Sequence, residues 1–195
     1  MKVELILLAA GQSKRFGGIK QLTKINKQPM ILHCINQFRD KGTWIDELAH
    51  GYVILGSNAL LIKNEIPINI DVYIANSWEL GMGHSLAESI SLLSSDTTHV
   101  LIALADQVLV TNELVKQLLQ QAHQFPEKII AAKYSDRLGA PSIFPRHYFS
   151  KLSQLTGDQG AKSLLQEFVA NVAAIPMPEA AIDIDTLKDL ESISL

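Results

Sequence analysis

The sequence predicts an α/β domain built on a mostly parallel, helix-flanked sheet, and three observations carry that expectation. Short apolar runs alternate with segments of helical period, as successive strand–helix units require. The strongest runs, Leu5–Ala10 and Val100–Ala105, are continuously apolar, the pattern of strands covered on both faces. Several runs end at Gly or Asp, residues suited to turning a chain out of a sheet. The 195 residues hold no repeat, low-complexity tract or linker, so one domain is expected over 1–195.

Taken in order, the first strand is Leu5–Ala10, which breaks at Gly11 into a loop carrying Ser13, Lys14 and Arg15. Gly17 and Gly18 then precede Lys20. Pro29 can open a helix whose Ile31, Leu32, Ile35 and Phe38 share one face, with Gly42 as its stop. Tyr52–Leu55, ended by Gly56, is a second strand; a short helix from about Asn58 to Glu65 ends near Pro67. Asp71–Ile74 is a third strand. After Gly81-Met82-Gly83, the spacing of Leu86, Ile90 and Leu93 gives a helix with one buried stripe. Val100–Ala105 is the most apolar strand and is expected at the sheet centre. Leu114, Leu118 and Leu119 mark the next helix, with Thr111 or Asn112 as its cap. Ile129–Ala132 is a fifth strand, and Leu187–Ile193 a final helix capped by Asp185 or Thr186.

Bulk properties exclude several functions. A net charge of −3 provides no global field for nucleic acid or an anionic membrane. No apolar run approaches the roughly 20 residues that span a bilayer. Met1-Lys2 leads into a strand without a signal peptide's cleavage region, and the single cysteine, Cys34, reads as a buried apolar residue in a reducing compartment. A cytoplasmic location is the expectation.

In open α/β sheets, ligands sit beyond the carboxyl ends of the strands. Three informative stretches fall there. The first is the loop after Leu8. Its glycines and cations suit an anion, since backbone N–H groups and a guanidinium can both meet phosphate oxygens; the alternative is an ordinary βα turn with solvated cations. It is neither a GxxxxGK[ST] loop nor a GxGxxG fingerprint. Its pattern is LxxGxxxRxxxxK, from Leu8 through Gly11 and Arg15 to Lys20. The second is Asp106, after six apolar residues, which can offer oxygen to Mg²⁺ or simply cap a turn. The third is Gly81-Met82-Gly83-His84-Ser85, which either packs close to a base or phosphate or merely enters a helix. Near the C-terminus, Asp183 and Asp185 share one face if the segment is extended. His84 has no visible partner as a base, the histidines lack zinc spacing, and no serine has a nucleophile-elbow context.

The loop resembles that of nucleotidyltransferases that use an NTP to cap a phosphorylated small molecule. Further stretches extend the likeness over nearly the whole chain: LAAGQSKRFGGIK at 8–20, NSWELGMGHSL at 76–86, ALADQVLV at 103–110, GAPSIF at 139–144, GDQGAKSLL at 157–165 and DIDT at 183–186. Together they resemble the molybdenum cofactor cytidylyltransferase family, within the cofactor-guanylyltransferase-like NTP transferases. The GMGHSL turn is similar to the cytidylyl branch. Two departures are Val108 where the family usually has Pro, and Leu187-Lys188-Asp189 where it usually continues Pro-Glu-Asp.

The resemblance implies a Rossmann-like nucleotidyltransferase fold. It also implies Mg²⁺-dependent transfer of CMP from CTP to the phosphate of molybdenum-molybdopterin, with release of pyrophosphate. Arg15, Lys20 and Asp106 would be catalytic. Asp106 with Asp183 or Asp185 would hold the metal. Ala9, Ala10, Gly11, Lys14, Arg15, Lys20, Gly81, Met82, Gly83 and Ser85 would bind the nucleotide. Gly139-Ala140-Pro141 and Gly157–Ala161 would line the acceptor side, unless the latter is a helix start capped by Asp158. An acceptor molybdoenzyme or its maturation chaperone is the implied protein partner. The alternatives are a related transferase with another acceptor, a sugar phosphate or guanylyl transfer to the cofactor among them, and a non-catalytic maturation factor.

Overall fold

The computed structural model describes residues 1–193. Seven strands form its central sheet: β1 (Val3–Ala9), β2 (Leu48–Leu55), β3 (Asp71–Ile74), β4 (His99–Leu104), β5 (Ile129–Tyr134), β6 (Arg137–Pro145) and β7 (Val172–Pro176). Their order is β7-β5-β6-β4-β1-β2-β3. β1 is parallel to both neighbours, with Leu7 facing Val53 on β2 and Ala103 on β4. Only β6 runs antiparallel to its neighbours, β4 and β5. The expected α/β architecture with a mostly parallel sheet is what the chain forms.

Helices cover both faces, which is why β1 is buried along its whole length. Leu5, Leu7 and Ala9 belong to the core with Met30, Ile31 and Ile35 of α1 (Met30–Asn36) and Val115, Leu118 and Leu119 of α4 (Asn112–Gln124). Ile6 and Leu8 face the other way, into a cluster with Leu86 of α3 (Met82–Ser89) and Leu164 and Leu165 of α6 (Lys162–Glu167). Period-two alternation thus sends successive apolar residues to two cores. Each fully buried side chain of this size contributes about 1.5–3 kcal/mol.

Helix signals hold with adjusted ends. α1 stops at Asn36, well before Gly42. Arg39–Asp40 instead pairs with Thr43–Trp44, and Gly42, at φ +87°, serves the turn between them. The second helix is Ala59–Lys63, shorter than expected. Thr111 is the cap of α4, accepting from the Leu114 N–H at 3.4 Å. The last helix, Leu187–Ser192, is capped by Thr186, which accepts from the Asp189 N–H while the Asp189 carboxylate accepts from the Thr186 N–H. Asp185 is therefore not the cap.

β6 and β7 were not anticipated. Gly139, Pro141 and Pro145 interrupt β6, and its pairing with β5 shifts register between Gly139 and Ser142. The two-residue turn joining β5 to β6 places Ser135 and Asp136 at φ +46° and +57°, the hairpin geometry usually signalled by Asn-Gly or Asp-Gly. β7 is an edge strand, only partly buried and ending in Pro176.

Candidate active site

A cavity of about 600 Å³ opens at the carboxyl ends of β1 and β4. Leu8–Arg15, Lys20, Gln21, Leu104–Asp106, Met82, Ser85 and Asp185 all contribute to its lining. The strand-end rule therefore brings together the stretches that the sequence separates by up to 170 residues.

The loop after β1 is held from beneath by Gln21, which the sequence reading passed over. Its side chain is buried, and Nε2 donates to Ala9 O at 3.1 Å and Gly11 O at 3.2 Å. Ser13 Oγ donates to Gln21 Oε1 at 3.2 Å. A primary amide has two donors and an acceptor, so one residue can satisfy three loop groups. Positive φ falls at Ser13 and Gly17, not at Gly11. A Cβ at Gly11 would meet no protein atom within 4 Å, so its missing side chain leaves open room over the loop.

Lys20 and Arg15 differ sharply. Lys20 is only 8% exposed. Its ammonium donates to Asp106 Oδ2 at 2.8 Å, Ile184 O at 3.0 Å and Asp185 Oδ1 at 3.3 Å. All three protons have acceptors, and a buried cation needs that. Burial would lower the Lys20 pKa; pairing with Asp106, then Asp185, outweighs it and raises the value. Lys20 is thus a buried cross-link rather than a free loop cation. The Arg15 side chain is 74% exposed and donates to Asp185 Oδ2 at 2.8 Å. An exposed pair of this kind is worth at most about 1 kcal/mol, so Arg15 can leave it for a phosphate.

The C-terminal segment reaches the site by an isolated backbone bond. The Ile184 N–H donates to Asp106 O at 3.1 Å, and Ile184 is buried. Gln107 adds a second tie. Its buried amide donates to Ala140 O at 3.1 Å and Ala180 O at 2.8 Å, joining the β4 turn to β6 and to the approach of the C-terminal segment. No strand includes residues 183–186. Asp185 enters the cavity, whereas Asp183 stands outside its lining and is exposed. Solvent reaches Asp183, yet loss of part of its hydration, followed by repulsion from Asp106 and Asp185, raises its pKa to about 6.

Two residues that line the cavity each carry a buried polar atom without a partner. Asp106 Oδ1 and Ser85 Oγ are buried with no hydrogen bond among the described residues. Unpaired buried polar atoms cost about 1–3 kcal/mol each, which an incoming ligand can recover. Hard carboxylate oxygens with one orphan atom fit Mg²⁺, which typically takes one or two carboxylates plus substrate phosphates and waters. Among the described residues, no three His, Cys, Asp or Glu side chains form a ready metal cage.

The other predicted groups divide. Ala9, Ala10, Gly11, Lys14, Arg15, Lys20, Gly81, Met82 and Ser85 line the cavity; Gly83 does not. The Gly83 N–H donates to Gly157 O at 2.7 Å, and a Cβ there would lie 2.5 Å from Thr156 O. Another loop packs on Gly83, which accounts for a glycine at that position. Cys34 is buried, as expected; its thiol donates to Ala105 O at 3.3 Å, and burial pushes its pKa up. Trp78, to which no binding role was given, also lines the cavity, as does Asp158 of the 157–161 stretch expected on the acceptor side. No helix among the described residues is long and apolar enough to cross a membrane.

Comparison with known proteins places this geometry in context. Residues 5–172 match the family described as MobA-like NTP transferase domain. Among curated proteins, the chain is 27% identical over 188 residues to the bifunctional protein GlmU of Pseudomonas aeruginosa (strain LESB58). That alignment covers 95% of this chain, which spans only 37% of the relative's length. Among solved structures, Rv0371c of Mycobacterium tuberculosis H37Rv superposes with a TM-score of 0.81 at 24% identity, covering 98% of this chain and 96% of that one. A manganese complex of Rv0371c gives 0.78 at 22%, covering 99% and 100%. A CMP:2-keto-3-deoxy-manno-octonic acid synthetase complexed with CTP gives 0.76 at 15%, covering 98% and 96%.

Proposed function

We propose, for a chain that belongs to the family of MobA-like NTP transferase domains, the transfer of CMP from CTP to the terminal phosphate of molybdenum-molybdopterin. Pyrophosphate is the second product. One observation carries the reading: the cavity beyond β1 and β4 combines an exposed Arg15 with a Lys20–Asp106–Asp185 cluster that keeps Asp106 Oδ1 unpaired. An NTP transferase needs that combination of phosphate-binding cations and a free carboxylate oxygen.

An oxygen of the acceptor phosphate attacks the α-phosphorus of CTP. The bond to the β-phosphate bridging oxygen breaks, and pyrophosphate leaves with that electron pair. No protein nucleophile is required. Arg15 releases Asp185 and takes up triphosphate oxygens, opposing the charge that grows on the leaving group. Lys14 adds charge at the same rim. The loop fixed by Gln21 keeps backbone N–H groups in place, so much of the rate enhancement is orientation. Lys20 holds Asp106 and Asp185 in register despite their mutual repulsion. Asp106, with Asp185 or Asp183, would hold Mg²⁺, which when bound supplies charge neutralisation between attacking and departing phosphates.

Support for cytidine comes from the GMGHSL turn and from a neighbour of like fold solved with CTP; support for a divalent metal comes from the manganese complex of another. A second reading keeps the transfer and changes the acceptor to another phosphorylated small molecule, such as a sugar phosphate. A neighbour of like fold named for a different acceptor, the CMP:2-keto-3-deoxy-manno-octonic acid synthetase, supports it. Incubating the purified protein with molybdenum-molybdopterin or a panel of sugar phosphates, each with CTP, GTP or UTP and Mg²⁺, decides between them. Pyrophosphate formation only with CTP and molybdenum-molybdopterin is the expected result.

A further inference from the structure

The 81–85 turn and residues 156–160 form one interlocked wall of the cavity. The Gly83 N–H donates to Gly157 O at 2.7 Å, while His84 Nδ1 lies 3.0 Å from Leu80 O and 3.2 Å from the Gly157 nitrogen, and its tautomer decides which of the two it bonds. Met82 lies against Gly160, where a Cβ would sit 2.9 Å from its sulfur. Gly81, at φ +111°, leaves the space that the Asp158 carboxylate and Gly157 O fill; a Cβ at Gly81 would be 2.5 Å from that carbonyl. Two glycines on one side and two on the other allow this approach, and it delivers Asp158 to the cavity.

Asp158 is a solvent-exposed carboxylate that lines the cavity. From sequence it could cap α6, but the residue before that helix is Ala161, and no side-chain cap bond is formed. Asp158 makes no hydrogen bond or ion pair among the described residues. A carboxylate only accepts hydrogen bonds when ionised and repels phosphate. Within a cavity whose exposed cations, Lys14 and Arg15, suit the triphosphate, and which Glu79 also lines, Asp158 is matched to an uncharged donor group.

We propose that Asp158 is a nucleoside-specificity residue, its carboxylate accepting a hydrogen bond from the cytosine amino group or from a ribose hydroxyl. The assignment rests on the nucleotide-binding reading above.

The test is calorimetric titration of the full chain with CTP, UTP, 2′-deoxy-CTP and inorganic triphosphate, each with Mg²⁺, on wild type and Asp158→Ala. A hydrogen bond to a charged group corresponds to about a tenfold change in affinity. Asp158→Ala is expected to weaken CTP by about that factor while leaving inorganic triphosphate unchanged. Collapse of the CTP/UTP ratio identifies the amino group as the donor; collapse of the CTP/2′-deoxy-CTP ratio identifies the hydroxyl. Loss of affinity for all four ligands, or for none, overturns the proposal. If wild type binds none of the nucleotides, the nucleotide-binding reading itself fails. If it binds them with ratios that Asp158→Ala leaves intact, only the role of Asp158 fails.

Discussion

The two ends of β1 each bury a charged residue, and they treat it in opposite ways. At the amino end, Glu4 is 1% exposed and fully served: Thr97 Oγ1 donates to it at 2.6 Å, the Ser94 N–H at 3.2 Å, and Lys2 lies 3.6 Å away. At the carboxyl end, Lys20 is also buried and paired, yet its partner Asp106 keeps an orphan oxygen and a wide cavity opens above it. A buried charge therefore marks no site by itself. What distinguishes the carboxyl end is the combination of charge, unpaired polar atoms and room.

The comparison predicts that changes at the two ends separate into effects on turnover and effects on folding. The largest effect is expected from Asp106→Asn, which keeps the shape of the side chain and removes the charge: transfer should fall by about 100-fold or more. Asp106→Ala should do the same and also lower stability, because Lys20 loses its 2.8 Å partner. Asp106 is not the energetically idle surface carboxylate that its place at a strand end implies. Activity per folded molecule, measured beside urea unfolding, checks both.

Lys20→Met comes next. Removing the cation leaves Asp106 and Asp185 facing each other, and breaking a buried pair costs about 3–5 kcal/mol. Urea unfolding should show that loss. The matching change at the other end, Glu4→Gln, should cost about 1–3 kcal/mol and leave kcat per folded molecule unchanged. A fall in kcat for Glu4→Gln comparable with that for Asp106→Asn would erase the distinction between the ends.

The smallest effect concerns Asp183. Its folded pKa of about 6 lies above the ordinary 3.8, so the folded state binds more protons across that window. Stability of the metal-free protein should fall as pH rises through it and then level off. Asp183→Asn should remove the penalty, raising Tm near pH 7 and giving no gain below about pH 4. Thermal unfolding in a chelator at several pH values reads this directly; a gain that grows toward low pH would contradict it.

Legibility in the sequence follows the same division. Strands β1, β2, β4 and β5 and helices α1, α3 and α4 could be read because their burial is periodic or continuous: Leu5 through Ala9 and Leu118 with Leu119 have no other plausible place. β6 could not, because its glycine and prolines break the apolar pattern and the register shift hides its alternation. In the site, the cavity-lining residues near strand ends were legible from the topology rule and the family motifs. The burial of Lys20 was not, since Asp106 and Asp185 lie 86 and 165 residues away and only the fold joins them. Gln21 carried no signal beyond its place in the loop. The packing duty of Gly83 was not legible, because a glycine needed for packing and one needed for a ligand look alike in sequence; the Thr156–Gly157 backbone against it shows the first.

The most direct test of the account is a radiolabel experiment with α-³²P-CTP, purified molybdenum-molybdopterin and Mg²⁺, on wild type and Asp106→Asn side by side. Wild type should move label from CTP onto the cofactor in step with pyrophosphate release, and the folded variant should do both slower by about 100-fold or more. Equal label transfer by both proteins would contradict the placement of the reaction at the carboxyl ends of β1 and β4.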